Sequence, residues 1–198
     1  MEGNGSKPAR GRVACLLTSG FEDSEFRIPT DRLRQAGYQV EIIGLQAGEK
    51  LVGEKGKETA RVDLSIDDAE VDDYMALLIP GGYSPDKLRA DDRFVQFVKA
   101  FDATGRPLAA VCHGPQLLLT AELIKGRRLT AWKTVQGDLR QAGARVVDEQ
   151  VVVDGNWITS RKPDDLEAFA AKLVIELGEM EELAGVQSPN EQALPPLA

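Results

Sequence analysis

Pro107 opens a short apolar run, Leu108–Val111, which breaks at Cys112-His113-Gly114 and resumes as an apolar segment from Pro115 to Ile124. A four-residue apolar run between turn signals reads as a buried strand. Proline at the first position after the break suits the start of a helix. A strand driven through a tight corner into a helix commits the chain to mixed α/β architecture. A cysteine on that corner is lifted out of the sheet and lies beside the positive end of a helix, which favours its thiolate. The amide after it points to where an oxyanion would develop, as in a nucleophile elbow. A buried, inert thiol at a strand end is the competing reading. The strand–Cys-His-Gly-Pro–helix punctuation favours the nucleophile, and the only histidine of the chain, His113, follows it directly.

Strand and helix patterns alternate on either side of this corner. Val13–Leu17 is an apolar run ending at Thr18-Ser19-Gly20, followed by a helix from Phe26 to Gln35 and a strand over Gln39–Gly44. Leu51–Val52 and Thr59–Val62 suit a small exposed hairpin, and Tyr74–Ile79 is a buried strand stopped by Pro80-Gly81-Gly82. Phe94, Val95, Phe97, Val98 and Phe101 form one helical face. A short strand at Leu129–Ala131 and a short helix at Val135–Ala142 come next, then two strands around the Asp154-Gly155 turn. An amphipathic helix over Pro163–Leu177 closes the pattern. Such alternation predicts a mostly parallel sheet covered on both faces, with an antiparallel hairpin near one edge. In such sheets the site lies beyond the carboxyl ends of the strands. Residues 1–10 are expected to be a flexible extension, 11–180 a single domain and 181–198 a flexible tail.

The rest of the composition narrows the class. With 198 residues, 42% of them hydrophobic, one domain with a full core is expected. Cys15 and Cys112 lie far apart with no Cys/His cluster, which argues against a disulfide framework or a metal site. No apolar leader core or membrane-length apolar run is present, so a cytoplasmic protein is expected, with no membrane partner. A net charge of −8 disfavours nucleic acid as a partner. The chain has no Walker A, no GxGxxG after a strand and no HExxH, so no cofactor is expected.

Three loops follow strands and should converge: 19–25, 81–86 and the elbow at 112–114. Glu22, in Gly20-Phe21-Glu22-Asp23, is the carboxyl candidate for the thiol, since a desolvated acid holds its proton and can donate to sulfur. Taken alone, a loop glutamate also suits a solvated surface charge. Gly81-Gly82 allows close backbone approach and an oxyanion site, or is an ordinary turn. Asp86, Asp91 and Asp92 are acids that could orient His113, and spacing does not rank them.

The chain resembles the PfpI family of intracellular cysteine proteases and stress proteins, in the glutamine-amidotransferase-like superfamily. The matching segments are Gly-Phe-Glu-Asp at 20–23, Leu-Ile-Pro-Gly-Gly at 78–82, Ala-Val-Cys-His-Gly-Pro-Gln at 110–116, Val-Val-Val-Asp-Gly-Asn-Trp at 151–157 and Ser-Arg-x-Pro-x-Asp-Leu at 160–166. The resemblance implies a flavodoxin-like three-layer sandwich, Cys112 as nucleophile, Glu22 bonded to its sulfur, and an oxyanion site from the backbone of Gly82 and His113. It also implies a homo-oligomer in which an acid of a neighbouring subunit orients His113. Asp86 occupies that place in Gly-Gly-Tyr-Ser-Pro-Asp, where the family carries a glutamate one methylene longer. Trp132 stands where relatives carry a tyrosine beside the pocket, and is otherwise a core or interface residue.

The function expected from these residues is a stress-protective, cysteine-dependent hydrolase of the PfpI type, an intracellular peptidase with His113 as acid/base. A glyoxalase or deglycase acting on methylglyoxal or its adducts is the nearest alternative. A redox-sensing or chaperone-like stress protein is the reading from a different class. The implied substrates are a peptide or a small carbonyl compound.

Overall fold

The computed structural model describes residues 10–183. Its sheet has seven strands: β1 (Arg12–Leu16), β2 (Gln39–Gly44), β5 (Leu64–Ser65), β6 (Ala76–Ile79), β7 (Leu108–Val111), β10 (Val151–Asp154) and β11 (Trp157–Ser160). Their order across the sheet is β10-β11-β7-β6-β1-β2-β5. All pairings are parallel except β10 with β11, which is the antiparallel edge hairpin expected from Asp154-Gly155. Two smaller ribbons lie outside this sheet. They are β3 (Lys50–Val52) with β4 (Thr59–Arg61), antiparallel, and β8 (Arg128–Leu129) with β9 (Arg145–Val146), parallel.

The period-2 alternation of strand side chains divides the core into two layers. Ala14, Leu16, Leu77, Ile79, Leu108 and Ala110 face one side. There they pack under α3 (Asp92–Ala103), α4 (Pro115–Thr120) and α5 (Gln136–Gln141) through residues such as Phe94, Phe101, Leu117 and Leu139. Val13, Cys15, Leu17, Leu78, Ala109 and Val111 face the other side, under α1 (Asp23–Gln35) and α6 (Leu166–Leu183). Cys15 is thereby sealed beneath α1 and α6, with no exposed surface. The expected three-layer, flavodoxin-like α/β sandwich is the fold observed.

Several boundaries differ from expectation, each for a local reason. α1 begins at Asp23, earlier than Phe26, because Glu22 caps it and Asp23 and Glu25 supply the acidic first turn that the helix dipole favours. α4 stops at Thr120, well before Ile124, and Glu122 turns the chain with φ 60°. The last helix runs on to Leu183, and Arg10 is paired with the buried Glu181 carboxylate, so residues 10 and 181–183 belong to the fold. The rest of the expected extension and tail lies outside the described residues. The short strands β5 and β9 and the helix α2 (Ser84–Leu88) were not anticipated; each is five residues or fewer, below the length at which periodicity is readable. No helix among the described residues is long and apolar enough to cross a membrane.

From β1 the chain winds outward through β2 and β5, then returns to β6 and winds the other way through β7 and β11. The reversal falls between β1 and β6. The loops after β1, β6 and β7 therefore open side by side at one end of the sheet, where an open α/β sheet binds its ligands.

Candidate functional site

The loops after β1 and β6 are bound together before any side-chain chemistry begins. Phe21 and Gly82 form an isolated antiparallel bridge. Tyr83 N donates to Gly20 O at 2.7 Å, Glu22 N to Gly81 O at 3.2 Å, and Thr18 N to the buried Ser84 hydroxyl at 2.9 Å. Gly82 sits at φ 75°, and a Cβ there would lie 2.4 Å from Glu22 N, so only glycine permits this approach.

Cys112 occupies the elbow with φ 61°, a left-handed conformation that a cysteine adopts only under constraint. That constraint is visible. Cys112 N donates to Ser160 O at 3.0 Å and its carbonyl accepts from Trp132 N at 2.9 Å. Gly114 packs so closely that a Cβ there would lie 2.6 Å from Ile79 O. The strained backbone projects the thiol toward the joined loops, where the amides of Gly82 and His113 both point at the sulfur and favour its charged form. Cys112 Sγ lies 3.3 Å from His113 Nδ1.

The carboxyl group against this thiol belongs to Glu25; the expected Glu22 is turned away from it. Glu22 caps α1: its Oε2 accepts from Glu25 N at 2.9 Å and from the Ser24 hydroxyl at 2.5 Å, and its Oε1 accepts from Lys55 Nζ at 2.6 Å. Each of its oxygens is already engaged by a donor. Glu25, the third residue of α1 and with no exposed surface, faces the sheet instead. Its Oε2 accepts from Gly81 N at 3.0 Å, its Oε1 is buried without a hydrogen-bond partner among the described residues, and the carboxyl group as a whole interacts with the neighbouring Cys112 thiol. Gly81 therefore serves the carboxyl group and not an oxyanion, which corrects its expected role. A Cβ on Gly81 would lie 2.3 Å from Glu25 Oε2 and 2.7 Å from Cys112 Cβ, so this glycine is what lets the two groups meet.

Burial governs the proton balance. It pushes the Glu25 carboxyl up to about 8, despite the hydrogen bonds with Cys112 and Gly81 that act the other way. Burial also pushes the Cys112 thiol up, and a charged Glu25 would push it further. Two adjacent buried anions are the least favourable state, so one proton stays on the pair. With that proton on Glu25, the repulsion disappears and the carboxyl group becomes a donor to a thiolate. Burial lowers the pKa of half-exposed His113, and Asp86 partly opposes this, so the imidazole is neutral at pH 7 and available as a base. Asp86 stands on α2 at the same pocket, 61% of its side chain exposed, with Arg89 as its partner in the chain at 2.6 Å.

The cavity above the thiol measures about 510 Å³. His113, Trp132, Tyr83 and Gln116 line it, together with the carboxylates of Glu22, Glu54 and Asp86 and the ammonium of Lys55. Trp132 is thus a pocket wall, half-buried against both core layers. No group of three or more potential ligands capable of holding a metal ion occurs among the described residues.

Residues 11–176 match the model of the DJ-1/PfpI family. The chain belongs to that family. It is 48% identical to Protein/nucleic acid deglycase 2 of Escherichia coli strain K12 over 168 residues, which covers 84% of this chain and 98% of that protein. It is also 48% identical to General stress protein 18 of Bacillus subtilis strain 168 over 159 residues, covering 80% and 92%. Among solved structures, a two-domain DJ-1/ThiJ/PfpI-like and ferritin-like protein from Anabaena variabilis superposes with TM-score 0.83 at 36% identity. That match covers 93% of this chain and 52% of the two-domain chain. Drosophila melanogaster DJ-1beta superposes with TM-score 0.77 at 26% identity, covering 90% and 99%. Names among these relatives are those of enzymes and stress proteins, and the chain is consistent with an enzyme of this family.

Proposed function

We propose that this chain is a Cys112-dependent enzyme acting on small α-oxoaldehydes and on the adducts they form with amines and thiols. This is a glyoxalase or deglycase activity, in preference to a peptidase of the PfpI type. The recess of the nucleophile carries the reading: Cys112 is 7% exposed at the base of a cavity of about 510 Å³. A three-carbon carbonyl compound enters such a recess whole. A peptide bond would have to bring the chain on both of its sides down with it. The 48% identity to a protein named as a deglycase supports the same choice.

The chemistry balances without an external oxidant. The Cys112 thiolate adds to the aldehyde carbon of methylglyoxal, forming a C–S bond, and the amides of Gly82 and His113 stabilise the new oxyanion. Where the aldehyde is already bound to an amine, sulfur takes the amine's place and the amine leaves with a proton. Neutral His113 carries a proton from C1 to C2, so that C1 is oxidised to a thioester as C2 is reduced to an alcohol. Water then cleaves the C–S bond, releasing a 2-hydroxy acid and returning the thiol.

The test is turnover of methylglyoxal, casein and fluorogenic peptides by one preparation, with Cys112→Ala as control. Formation of lactate from methylglyoxal, abolished in Cys112→Ala, is expected. Cys112-dependent peptide cleavage with no lactate formation overturns the proposal in favour of the peptidase.

A further inference from the structure

The Glu22 carboxylate, displaced from the role expected for it, remains in the wall of the pocket in an unusual state. It is 6% exposed, with Oε2 bound to the start of α1 and Oε1 to a single ammonium, that of Lys55. Lys55 is held differently. Its backbone is fixed, because Asp23, 4% exposed, accepts from the amides of Lys55 at 2.9 Å, Lys57 at 2.7 Å and Glu58 at 2.7 Å. Gly53 passes so close to Asp23 that a Cβ there would lie 2.5 Å from Oδ1. The tip of the β3–β4 hairpin is thereby clamped over the pocket. The Lys55 side chain, in contrast, is 52% exposed, with its ammonium 2.6 Å from Glu22 Oε1 and 4.0 Å from Glu54 Oε1. A nearly buried, fixed anion thus has an exposed cation as its counter-ion.

The remainder of the mouth is short of positive charge. Glu54 and Asp86 line the same cavity, with Lys55 as the only cation among its lining residues. Burial pushes Glu54 up, Lys55 opposes this, and the neighbouring carboxylates of Glu22 and Asp23 add to the rise, so Lys55 is the cation that offsets both Glu22 and Glu54. A buried carboxylate whose cation leaves is strongly penalised unless another cation replaces it. Replacement is therefore the one way in which Lys55 can move off Glu22 at low cost.

From this arrangement we infer that Glu22 and Lys55 form an exchangeable ion pair that selects substrates bearing a fixed positive charge. The guanidinium or ammonium of a modified side chain takes the place of Lys55 on Glu22 Oε1, while its carbonyl-derived carbon is presented to Cys112. A planar guanidinium can meet Glu22 and Glu54 with separate N–H groups, so arginine adducts are the favoured class. The inference rests on the proposed carbonyl-adduct activity for its substrate, but the charge selection is a property of the pocket alone.

Binding to Cys112→Ala separates the two. Equilibrium dialysis would compare Nα-acetyl-arginine amide with Nα-acetyl-citrulline amide, which has nearly the same shape and no charge. We expect the arginine probe to bind roughly two- to fivefold more tightly, the range of a partly screened ion pair. Glu22→Gln, which keeps a capping oxygen, should bring the two probes together. Lys55→Met, which leaves the helix cap intact and removes the competing cation, should widen the difference. A mutation acting only through loss of structure would not move the preference in opposite directions. Equal binding of both probes, binding of neither, or a narrowing in Lys55→Met overturns the inference. Charge selection without any turnover of methylglyoxal adducts leaves the subsite standing and removes the catalytic proposal; turnover without charge selection does the reverse.

Discussion

At the scale of single residues, three carboxylates within Glu22–Glu25 have three different tasks set by direction alone. Glu22 turns back to cap α1, Asp23 turns outward to hold the β3–β4 tip, and Glu25 turns inward to the thiol. The sequence shows three acids in one short segment and does not by itself assign them. A signal was nevertheless present: Glu25, Pro29 and Leu33 are four residues apart and all buried, so Glu25 stands on the core-facing stripe of its helix. With α1 expected to start at Phe26, Glu25 fell in a loop and that stripe was not visible. His113 gives a clean prediction because the chain has one histidine. Its imidazole, followed by NMR, should titrate below 6.5, and Asp86→Asn should lower it further by removing the charge that opposes burial. A rise in Asp86→Asn contradicts this electrostatic picture. At the elbow, site-resolved mass spectrometry after brief iodoacetamide treatment should find Cys112 modified and the fully buried Cys15 untouched.

At the scale of elements, β7, the elbow and the order of strands and helices were legible because each carries a strong local rule. The sequence places Leu108–Val111 at its observed bounds, since Pro107 and Cys112-His113-Gly114 punctuate both ends. The clamp on the β3–β4 hairpin was not legible, because it depends on Asp23 accepting from amides more than thirty residues away. Its loss should be local. Asp23→Ala leaves three amides without their acceptor and should cost about 2–4 kcal/mol. Hydrogen exchange should then accelerate at Lys55, Lys57 and Glu58 while the β1–β6–β7 core stays protected. Uniform acceleration across the core would show that the clamp supports the whole fold instead.

At the scale of the whole molecule, the buried acid couples the site to stability. The folded-state pKa of Glu25, about 8, stands above the ordinary value of 4.5, so the native state holds the proton more tightly than the unfolded chain. The resulting stability is fully present below about 4.5 and is lost as pH rises through 8. Glu25→Gln keeps the shape and a donor without the ionisation. It should match the parent protein at pH 4.5 and exceed it at pH 8, by about 4 kcal/mol in denaturant unfolding. An equal or lower stability at pH 8 contradicts a raised Glu25. We also propose that the active unit is a homo-oligomer in which Asp86 serves His113 of a second copy. Asp86 is open to solvent beside Tyr83, which is 68% exposed. Mixing Cys112→Ala with Asp86→Ala subunits should then restore part of the lost activity, and a fully active monomer contradicts it.

Glu25, not Glu22, holds the proton that stabilises the Cys112 thiolate. The most direct measurement is the pH dependence of Cys112 alkylation, resolved by mass spectrometry, in the parent, Glu25→Gln, Glu25→Ala and Glu22→Gln. If Glu25 is protonated and donates, its removal in Glu25→Ala takes away a charge-assisted hydrogen bond of about 1.5–3 kcal/mol, and the thiol pKa rises by roughly one to two units. Glu25→Gln retains a donor and should remain near the parent, and Glu22→Gln should shift the thiol less than Glu25→Ala does. A fall of the thiol pKa in Glu25→Ala would mean that a charged carboxylate had been repelling the sulfur, and would contradict the account.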